Sequence, residues 1–200
     1  MTVHIIDDDE AIRDALSFLF ASRGLQARGW PSGEAFLAAL PLPDCGCIVL
    51  DVRMAGLSGL DTFDRLRGLG CPAPVIFLTG HADVPIAVRA LKAGAFDFVE
   101  KPFNDNAIVD LVLTAIESHA ARRAEIGARE DVTRRLATLS LREQEVLRLM
   151  LQGRLNKQIA DALGIAMRTV ELHRSRLIAK MGVRNAVELA ALLGETDLPR

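Results

Sequence analysis

Side chains suited to phosphoryl chemistry follow four short apolar segments of this sequence. An acidic cluster at 7–9 follows the first segment, Asp51 the second, Thr79 the third and Lys101 the last. Carboxylates about 4 Å apart repel by roughly 4 kcal/mol per pair at an effective dielectric near 20, so they stay ionised only with a cation between them. A divalent ion such as Mg²⁺, with Asp51 as nucleophile and Lys101 as charge partner, makes a phosphoryl-transfer site. Taken singly, each residue has a plainer interpretation as a turn residue or a helix cap.

The apolar segments have the character of buried parallel strands. Continuous runs such as Cys47–Leu50 are typical of strands covered on both faces. Helix-period stretches separate the runs, and five β–α repeats predict an α/β fold with a doubly wound five-stranded parallel sheet. Because the carboxyl ends of parallel strands share one edge, the polar residues can converge there. The predicted strands are Val3–Ile6, Gln26–Trp30, Cys47–Leu50, Val75–Leu78 and Phe96–Val99.

Charge is distributed unevenly along the 200 residues. Residues 1–118 carry sixteen acidic and nine basic side chains, a balance of −7, whereas residues 119–138 are at +2 and residues 139–200 at +3. An acidic front and a basic back indicate two domains with different partners. We therefore predict a first domain at 1–118, a charged helical linker at 119–138 and a second domain at 139–200. The linker has two interpretations, a solvated helix or a dimer-forming coil.

Composition excludes several classes of protein. Aromatic residues make up 4% of the chain and tyrosine is absent, which disfavours a stacking surface for single-stranded nucleic acid. No apolar run approaches the roughly 18 residues of a membrane span, and Met1–Ile6 runs straight into acidic residues, unlike a signal peptide. Cys45, Cys47 and Cys71 lack zinc-site spacing. We expect a cytoplasmic protein without a membrane partner, whose cysteines are small apolar residues in a reducing environment.

Residues 139–200 have the pattern of an all-α domain of four helices. Ser140 and Glu143 form a capping box at the start of the first helix. Asn156 is predicted to cap the second helix, Gly164 to end it at a left-handed position, and Asn185 to cap the last. The predicted core positions are Val146, Leu147, Met150, Leu151, Ile159, Ala160, Leu163, Val170, Leu177 and Met181.

Two short helices joined by a glycine turn form a helix-turn-helix candidate within this domain. Basic and hydroxyl side chains on the exposed face of its second helix, about 167–181, suit DNA phosphates. Glu171 and Leu172 suit a cytosine amino group and a thymine methyl. The alternative is an ordinary solvated helix face. The exposed stripes comprise Arg168, Glu171, Leu172 and Ser175, and beside them Thr169, His173, Arg176 and Lys180.

The first domain resembles a bacterial response-regulator receiver. The resemblance implies that Asp51 accepts a phosphoryl group from a sensor histidine kinase, and that Mg²⁺ binds Asp8, Asp51 and the main-chain carbonyl of Arg53, with Asp7 acting through water. The matching motifs, in order, are Ile6-Asp7-Asp8, Leu50-Asp51-Val52-Arg53-Met54, Leu78-Thr79-Gly80 and Glu100-Lys101-Pro102-Phe103.

The same resemblance assigns a conformational switch. Thr79 would follow the phosphoryl group, Lys101 would pair with it, and Phe98 matches the switch aromatic of the family. Lys101-Pro102 matches a cis peptide bond. One residue departs from the pattern, because Ala55 stands where the family usually has proline. Alanine leaves φ free, so we expect a more mobile loop there that still accepts phosphate.

The second domain resembles the LuxR-type DNA-binding domain, and the whole chain resembles the NarL/FixJ response regulators. The resemblance implies phosphorylation-dependent homodimerisation and binding to double-stranded promoter DNA, with RNA polymerase as a further partner. Ala166-Met167 departs from the usual serine before the recognition helix, and Glu171 stands where lysine is frequent. The motifs that carry the resemblance are Leu139-Ser140, Arg142–Leu147, Asn156–Ala160, Arg168–His173 and Lys180-Met181, together with His81–Pro85 and Phe96–Phe98.

The predicted contact residues of both interfaces follow from these resemblances and stripes. The receiver dimer would form through Val88, Arg89, Lys92 and Phe98. DNA would be contacted by Asn156, Lys157, Arg168, Thr169, Glu171, Leu172, His173, Ser175, Arg176 and Lys180, among which Lys157, Arg176 and Lys180 would bind phosphates.

Two other functions remain open at this point. A DNA-binding protein with a vestigial receiver would act without phosphate, although the intact acids, Thr79 and Lys101 argue against it. A Mg²⁺-dependent aspartyl phosphohydrolase would use the same acids, but such enzymes normally carry a second acid two residues after the nucleophile, where Arg53 stands here. We therefore expect a transcription regulator rather than an enzyme.

Overall fold

The computed structural model of the chain describes residues 1–80 and 84–194, without the side chains of residues 84–87. It divides into two compact units, Met1–Arg123 and Ala124–Arg200. The division lies inside the segment 119–138, which the sequence predicts to be a linker.

The first unit is built on a five-stranded sheet in which all strand pairs are parallel. The strand order is β2-β1-β3-β4-β5, so the chain reverses its direction of winding beside β1. This is the doubly wound sheet that the sequence predicts. The strands are β1 (Thr2–Ile6), β2 (Gln26–Trp30), β3 (Cys45–Asp51), β4 (Val75–Thr79) and β5 (Asp97–Glu100).

The central strand β3 is buried along all of its seven residues. Its register with β1 shifts between Thr2 and Val3, which pair with Cys45 and Cys47 and leave Gly46 as an extra residue. As a consequence, Cys45 packs into the core on one face of the sheet and Cys47 into the core on the other. The predicted strand Cys47–Leu50 is therefore too short. It begins two residues after the start of β3 and omits Asp51, the last residue of β3.

Helices cover both faces of this sheet. Asp9 caps α1 by accepting the Ala11 N–H, and Ser32 and Ser58 cap α2 and α3 in the same way. One core packs around Phe36, Phe63 and Phe77, the other around Phe20 and Ile108. The helices are α1 (Glu10–Ser22), α2 (Gly33–Ala38), α3 (Gly59–Gly68), α4 (Val84–Lys92) and α5 (Asp105–Ala137).

Helix α5 contains 33 residues and includes most of the segment 119–138. The predicted helical extension is therefore confirmed as helix, since no residue from Asp105 to Ala137 interrupts it. Its residues from 121 to 130 are all exposed. Among the described residues, no helix combines the length and apolar character that crossing a bilayer requires.

The second unit contains four further helices, as predicted: α6 (Leu141–Leu151), α7 (Asn156–Leu163), α8 (Met167–Met181) and α9 (Ala186–Gly194). The capping box is confirmed, because the Ser140 hydroxyl accepts the Glu143 N–H and Glu143 Oε2 accepts the Ser140 N–H at 2.8 Å. Gly164 and Gly182 end α7 and α8 with φ of 63° and 68°. Asn185 caps α9 by accepting the N–H groups of Val187 and Glu188.

Two local predictions for the second unit are wrong. Asn156 does not cap α7: the cap position is Leu155, whose N–H donates to the Gln158 side chain at 2.9 Å. Leu151 does not lie in the core either, since it is 44% exposed, whereas Leu149 is buried. Residues 146, 149 and 150 follow helical spacing, so the inward face of α6 lies closer to Leu149 than the sequence pattern suggests.

Candidate functional site

Three charged side chains meet at the carboxyl edge of the sheet. Lys101 Nζ donates to Asp7 Oδ2 at 2.8 Å and to Asp51 Oδ1 at 2.6 Å. Asp7 directly follows β1, Asp51 ends β3, and Lys101 directly follows β5. Parallel strands bring these ends together although Lys101 lies 94 residues from Asp7.

The two carboxylates are buried while the ammonium is partly open to solvent. The Asp7 side chain is 1% exposed, and that of Asp51 is 8%. Burial raises the pKa of Asp51 above its usual range, although Lys101 opposes this effect. Burial alone lowers the pKa of Lys101, but the hydrogen bonds and charges of Asp51 and Asp7 outweigh it and the pKa is raised. Lys101 therefore stays protonated and offsets part of the carboxylate charge.

Asp8 completes an acidic group that fits a divalent cation. Among the described residues, the carboxylate oxygens of Asp7, Asp8 and Asp51 can lie within 4.8 Å of one another. They face a cavity of about 300 Å³ that Arg53 and Lys101 also line. A set made only of oxygen ligands, with room for water, suits Mg²⁺. The residues present therefore fit the ion that receiver domains generally bind in an acidic pocket.

The loop after β3 is anchored to this acidic group. The Arg53 N–H donates to Asp51 Oδ2 at 2.8 Å, and the Ala55 N–H donates to Asp8 Oδ2 at 2.9 Å. A proline at position 55 would have no N–H to donate. The expected consequence of Ala55 was a more mobile loop, whereas the structure gives this residue a hydrogen bond to a candidate metal ligand.

Two glycines allow the loop to adopt this path. Gly56 has φ of +80°, which disfavours any side chain there. Gly59 lies so close to β3 that a Cβ would overlap the main-chain oxygen of Asp51. Its N–H also donates to the Val52 carbonyl at 3.0 Å. The start of α3 therefore holds the backbone of the candidate phosphate acceptor.

Sequence reasoning missed two residues that support the site. Arg13 Nη1 donates to the Asp7 carbonyl at 2.8 Å, and Glu34 Oε1 accepts the Leu57 N–H at 2.8 Å. The position of Arg13, one turn beyond the Asp9 cap, is a local signal that could have found it. No local signal marks Glu34, because 23 residues separate it from Leu57.

The predicted switch residues lie on the two strands next to β3. Thr79 is the last residue of β4 and is buried, and its carbonyl accepts the Lys101 N–H at 2.7 Å. Phe98 is half-buried in β5. The peptide bond between Lys101 and Pro102 is cis, as the resemblance implies. A second cis bond, Leu40-Pro41, was not predicted.

Three of the four predicted dimerisation residues are exposed on α4, whereas the fourth, Phe98, is half-buried in β5. Val88 is 44% exposed, and Arg89 and Lys92 are exposed as well. Residues 81–83 of the motif His81–Pro85 lie outside the described residues, and so do the side chains of 84–87. The pairing of two receivers through this face stays a prediction.

In the second unit, α8 presents most of the predicted stripe to solvent. Val170, Leu177 and Met181 are buried beneath it, which confirms the predicted core stripe. No side chain caps the helix at Ala166, in agreement with the missing serine. Thr169 and His173 are half-buried. The exposed members are Arg168, Glu171, Leu172, Ser175, Arg176 and Lys180.

Three predicted DNA-binding residues have other surroundings in this unit. Lys180 Nζ lies 2.6 Å from Glu143 Oε2 and 3.0 Å from the Thr138 carbonyl. Asn156 accepts a hydrogen bond from Arg174 Nη1, while its neighbour Lys157 is exposed. His173 Nδ1 is buried and has no hydrogen-bond partner among the described residues.

Comparison with known proteins agrees with both units. Residues 3–113 match the family described as response regulator receiver domain, and residues 137–193 match the bacterial regulatory proteins of the luxR family. The chain is 63% identical to the C4-dicarboxylate transport transcriptional regulatory protein DctR of Rhodobacter capsulatus, over 96% of this chain and 98% of that protein. It is 46% identical to FixJ of Azorhizobium caulinodans, over 96% and 91% of the two chains.

Solved structures are similar over nearly the whole chain. The response regulator StyR matches with a TM-score of 0.90 and 36% identity, covering 97% of this chain and 98% of that one. Full-length FixJ from B. japonicum matches with a TM-score of 0.62 and 39% identity, covering 97% and 96%. A receiver fold with an acidic pocket, followed by a LuxR-type helix-turn-helix domain, defines a DNA-binding transcriptional response regulator. The chain belongs to the NarL/FixJ family of two-component response regulators. Members of this family are transcription regulators controlled by phosphorylation, and their output is binding to DNA.

Proposed function

We propose that Asp51 is the residue that a sensor histidine kinase phosphorylates. The observation that carries the proposal is the contact of Lys101 with both Asp51 and Asp7. An ammonium group 2.6 Å from Asp51 Oδ1 is well placed to pair with a phosphoryl oxygen attached to that carboxylate. Asp51 also opens onto the acidic cavity, so a small phosphoryl donor can reach it.

The metal ligands we propose are the carboxylates of Asp8 and Asp51 and the main-chain carbonyl of Arg53, with Asp7 acting through water. The proposal is supported by the spacing of the three carboxylates and by the position of Arg53 on the same cavity. Mg²⁺ bound there would neutralise the phosphoryl oxygens during transfer. Asp51 would be the nucleophile, and Lys101 would hold the charge of the product.

The switch we propose runs from Asp51 to the α4–β5 side of the receiver. Phosphorylation adds about −1.5 to −2 charge. Thr79 would then move its hydroxyl towards the phosphoryl group, and Phe98 would turn into the space that Thr79 leaves. Support comes from the backbone hydrogen bond between Lys101 and Thr79, which joins β4 to the end of β5. Homodimers would form through Val88, Arg89, Lys92 and Phe98.

DNA contact is proposed for the exposed face of α8 with the start of α7. Two such helices in a dimer would reach major grooves about one DNA turn apart. Lys157 and Arg176 are exposed and would bind phosphates. Glu171 and Leu172 would contact base edges. The same face also carries Arg168, Ser175 and the half-buried Thr169 and His173. Asn156 and Lys180 would act at the border of this surface.

The phosphorylation proposal is tested with Mg²⁺ and acetyl phosphate as the donor. The wild type is expected to gain the mass of one phosphoryl group and to sediment as a dimer, whereas Asp51→Asn should do neither. Asp14→Asn is the matched control, because Asp14 is an exposed aspartate on α1 outside the cavity. Phosphorylation of Asp51→Asn at the wild-type rate would exclude Asp51 as the acceptor.

The DNA proposal is tested with a pool of double-stranded oligonucleotides that have a random central sequence. The phosphorylated wild type should select a two-fold sequence more strongly than Asp51→Asn. Equal selection by both would favour the vestigial receiver. Because the chain is 63% identical to a regulator named for C4-dicarboxylate transport, genes for such transport are the first targets to examine. The cytoplasmic location, the contact with RNA polymerase and the lack of enzymatic turnover stay predictions.

A further inference from the structure

The three cysteines of the first unit lie in very different surroundings. Cys45 and Cys71 line one cavity of about 660 Å³, at the edge of the sheet opposite Asp51. The two thiols lie close enough to each other to shift each other's pKa. Cys47 packs into the core on the other face of the sheet and is fully buried. The extra residue Gly46 is what separates Cys45 from Cys47 in this way.

The thiol pair combines an accessible sulfur with a protected one. Cys71 is half-buried, and Cys45 is 7% exposed. The contact between the two thiols lowers the pKa of Cys71 and raises the pKa of Cys45. Cys71 is therefore the member of the pair that ionises more readily, and it is also the one more open to solvent. The thiolate is the form of cysteine that reacts with oxidants.

The cavity gives small apolar molecules a path to this pair. Its wall consists mainly of leucine, proline and alanine side chains, and Arg123 lies at its margin. A cavity of this volume is within the range that binds small ligands. An uncharged oxidant can therefore reach Cys71 without entering the core.

We propose that Cys71 and Cys45 form an oxidisable dithiol site that a hydroperoxide converts to a disulfide. In the first step the Cys71 sulfur attacks the terminal oxygen of ROOH, the O–O bond breaks, and the leaving oxygen takes a proton as ROH. Cys71 is then a sulfenic acid. In the second step the Cys45 sulfur attacks the Cys71 sulfur, the S–O bond breaks, and the oxygen leaves as water with the thiol proton. Sulfur is oxidised by two electrons and the peroxide oxygen is reduced.

This site changes the interpretation of the cysteines as inert apolar residues. It is independent of Asp51, Lys101 and the acidic cavity, which lie at the other ends of the strands. In a reducing environment the disulfide would form under peroxide and be reversed by thiols. A disulfide between Cys45, the first residue of β3, and Cys71, in the segment before β4, would join the two strands covalently at the edge of the sheet opposite Asp51.

The test uses the full chain treated with one equivalent of hydrogen peroxide or of cumene hydroperoxide. The wild type should lose the mass of two hydrogens, and trypsin should yield a cross-link between the peptides 29–53 and 68–89. Dithiothreitol should reverse it. The first peptide contains both Cys45 and Cys47, so variants are needed to identify the partner. Cys47→Ala should keep the cross-link, while Cys45→Ala and Cys71→Ala should lose it.

Each variant separates a different outcome. In Cys45→Ala the Cys71 sulfur has no partner, so an oxygen adduct should accumulate on peptide 68–89. Circular dichroism of each variant shows whether it is folded, and the wild-type cross-link remains informative if one is not. A cross-link that survives in Cys45→Ala but is lost in Cys47→Ala would overturn the proposal. So would oxygen adducts on the wild type without any cross-link.

Discussion

Lys180 of α8 donates to the buried carboxylate of Glu143 in the first turn of α6, with 2.6 Å between Nζ and Oε2. The same carboxylate accepts the Ser140 N–H, so one side chain fixes a helix start and binds a second helix. Lys180 was predicted from its position on the helix face to bind DNA phosphate. Its contact with Glu143 gives it a part in stability as well.

We first predict that Lys180→Gln destabilises the protein by about 1–3 kcal/mol, because a buried carboxylate loses its partner. Arg168→Gln, on an exposed position of the same helix, should change stability by less than about 0.5 kcal/mol. Urea unfolding measures both. On DNA, Arg176→Gln should lower the salt slope by about one. If Lys180→Gln lowers the salt slope of DNA binding by about one and leaves stability unchanged, Lys180 is a phosphate contact only.

Glu143 should make stability depend on acid pH. Hydrogen bonds from Lys180 and Ser140 lower the pKa of Glu143 to about 2, below its value in the unfolded chain. The unfolded chain therefore takes up a proton first, and the stability that Glu143 contributes is lost as pH falls from about 4.5 towards 2. Glu143→Gln keeps a side-chain acceptor but cannot titrate. Its stability deficit relative to the wild type should be full at pH 6 and shrink at pH 3, and a constant deficit would contradict the assignment.

His4 should also make stability depend on pH, in a higher range than Glu143 does. Trp30 Nε1 donates to His4 Nδ1 at 3.0 Å inside the first unit, which requires that nitrogen to be unprotonated. Burial, and then the charge of Arg28, lower the pKa of His4. The folded chain therefore binds fewer protons than the unfolded chain, so stability is full above about pH 6.5 and falls below it.

The chain has one tryptophan, so Trp30 fluorescence reports unfolding of the first unit alone. Denaturant midpoints of the wild type should fall between pH 7 and pH 5.5. His4→Asn supplies an oxygen acceptor without a titration in that range, so its midpoint should fall less than that of the wild type, and the remaining fall is assigned to His119, whose pKa burial also lowers. Parallel pH curves for the two proteins would show that another group is responsible.

Gly59 should be needed for phosphate acceptance. A Cβ at this position would overlap the Asp51 carbonyl oxygen, so Gly59→Ala must displace either β3 or α3. We expect a loss of several-fold in the rate of phosphorylation by acetyl phosphate, together with lower stability. Gly68→Ala in the same helix is the control, because a Cβ there meets nothing within 4 Å. It should leave the rate unchanged and stabilise α3 by up to about 1 kcal/mol.

Lys101→Met should strengthen Mg²⁺ binding while it abolishes dimerisation on phosphorylation. Removing the ammonium group leaves Asp7 and Asp51 without their counter-charge, so added Mg²⁺ should bind more tightly and raise the melting temperature more than in the wild type. Phosphorylation should no longer yield a dimer, because Lys101 cannot pair with the phosphoryl group. Thermal unfolding against Mg²⁺ and sedimentation measure the two effects. A weaker response to Mg²⁺ than the wild type shows would contradict the charge argument.

The central geometry of the acidic site could be predicted from sequence because it depends on strand ends. Asp7, Asp51 and Lys101 each follow or end an apolar run, and parallel pairing forces such positions to one edge. The bond from Ala55 to Asp8 could not be predicted in this way. It joins residues 47 positions apart through an irregular loop, whose path depends on Gly56 and Gly59.

In the second unit, residue pattern predicted the helices better than their surfaces. The stripe of Val170, Leu177 and Met181 is buried, since helical spacing alone fixes it. The pattern did not show that Lys180 turns to Glu143, 37 residues earlier, because side-chain pairing between helices has no local signature. The pattern also placed the cap of α7 at Asn156, one residue after Leu155, the observed cap position. There the side chain of Gln158 accepts the Leu155 N–H, and the expected asparagine cap is absent.

The long sequence separation within the acidic site has a consequence for synthesis of the protein. Lys101 follows Asp51 by 50 residues and Asp7 by 94, so the pocket needs its last strand before it exists. A nascent chain that has emerged only as far as β4 presents Asp51 without its ammonium partner. Ribosome-bound or prematurely terminated chains would therefore be poorly phosphorylated. The receiver could be activated only after its last strand has been synthesised and has folded.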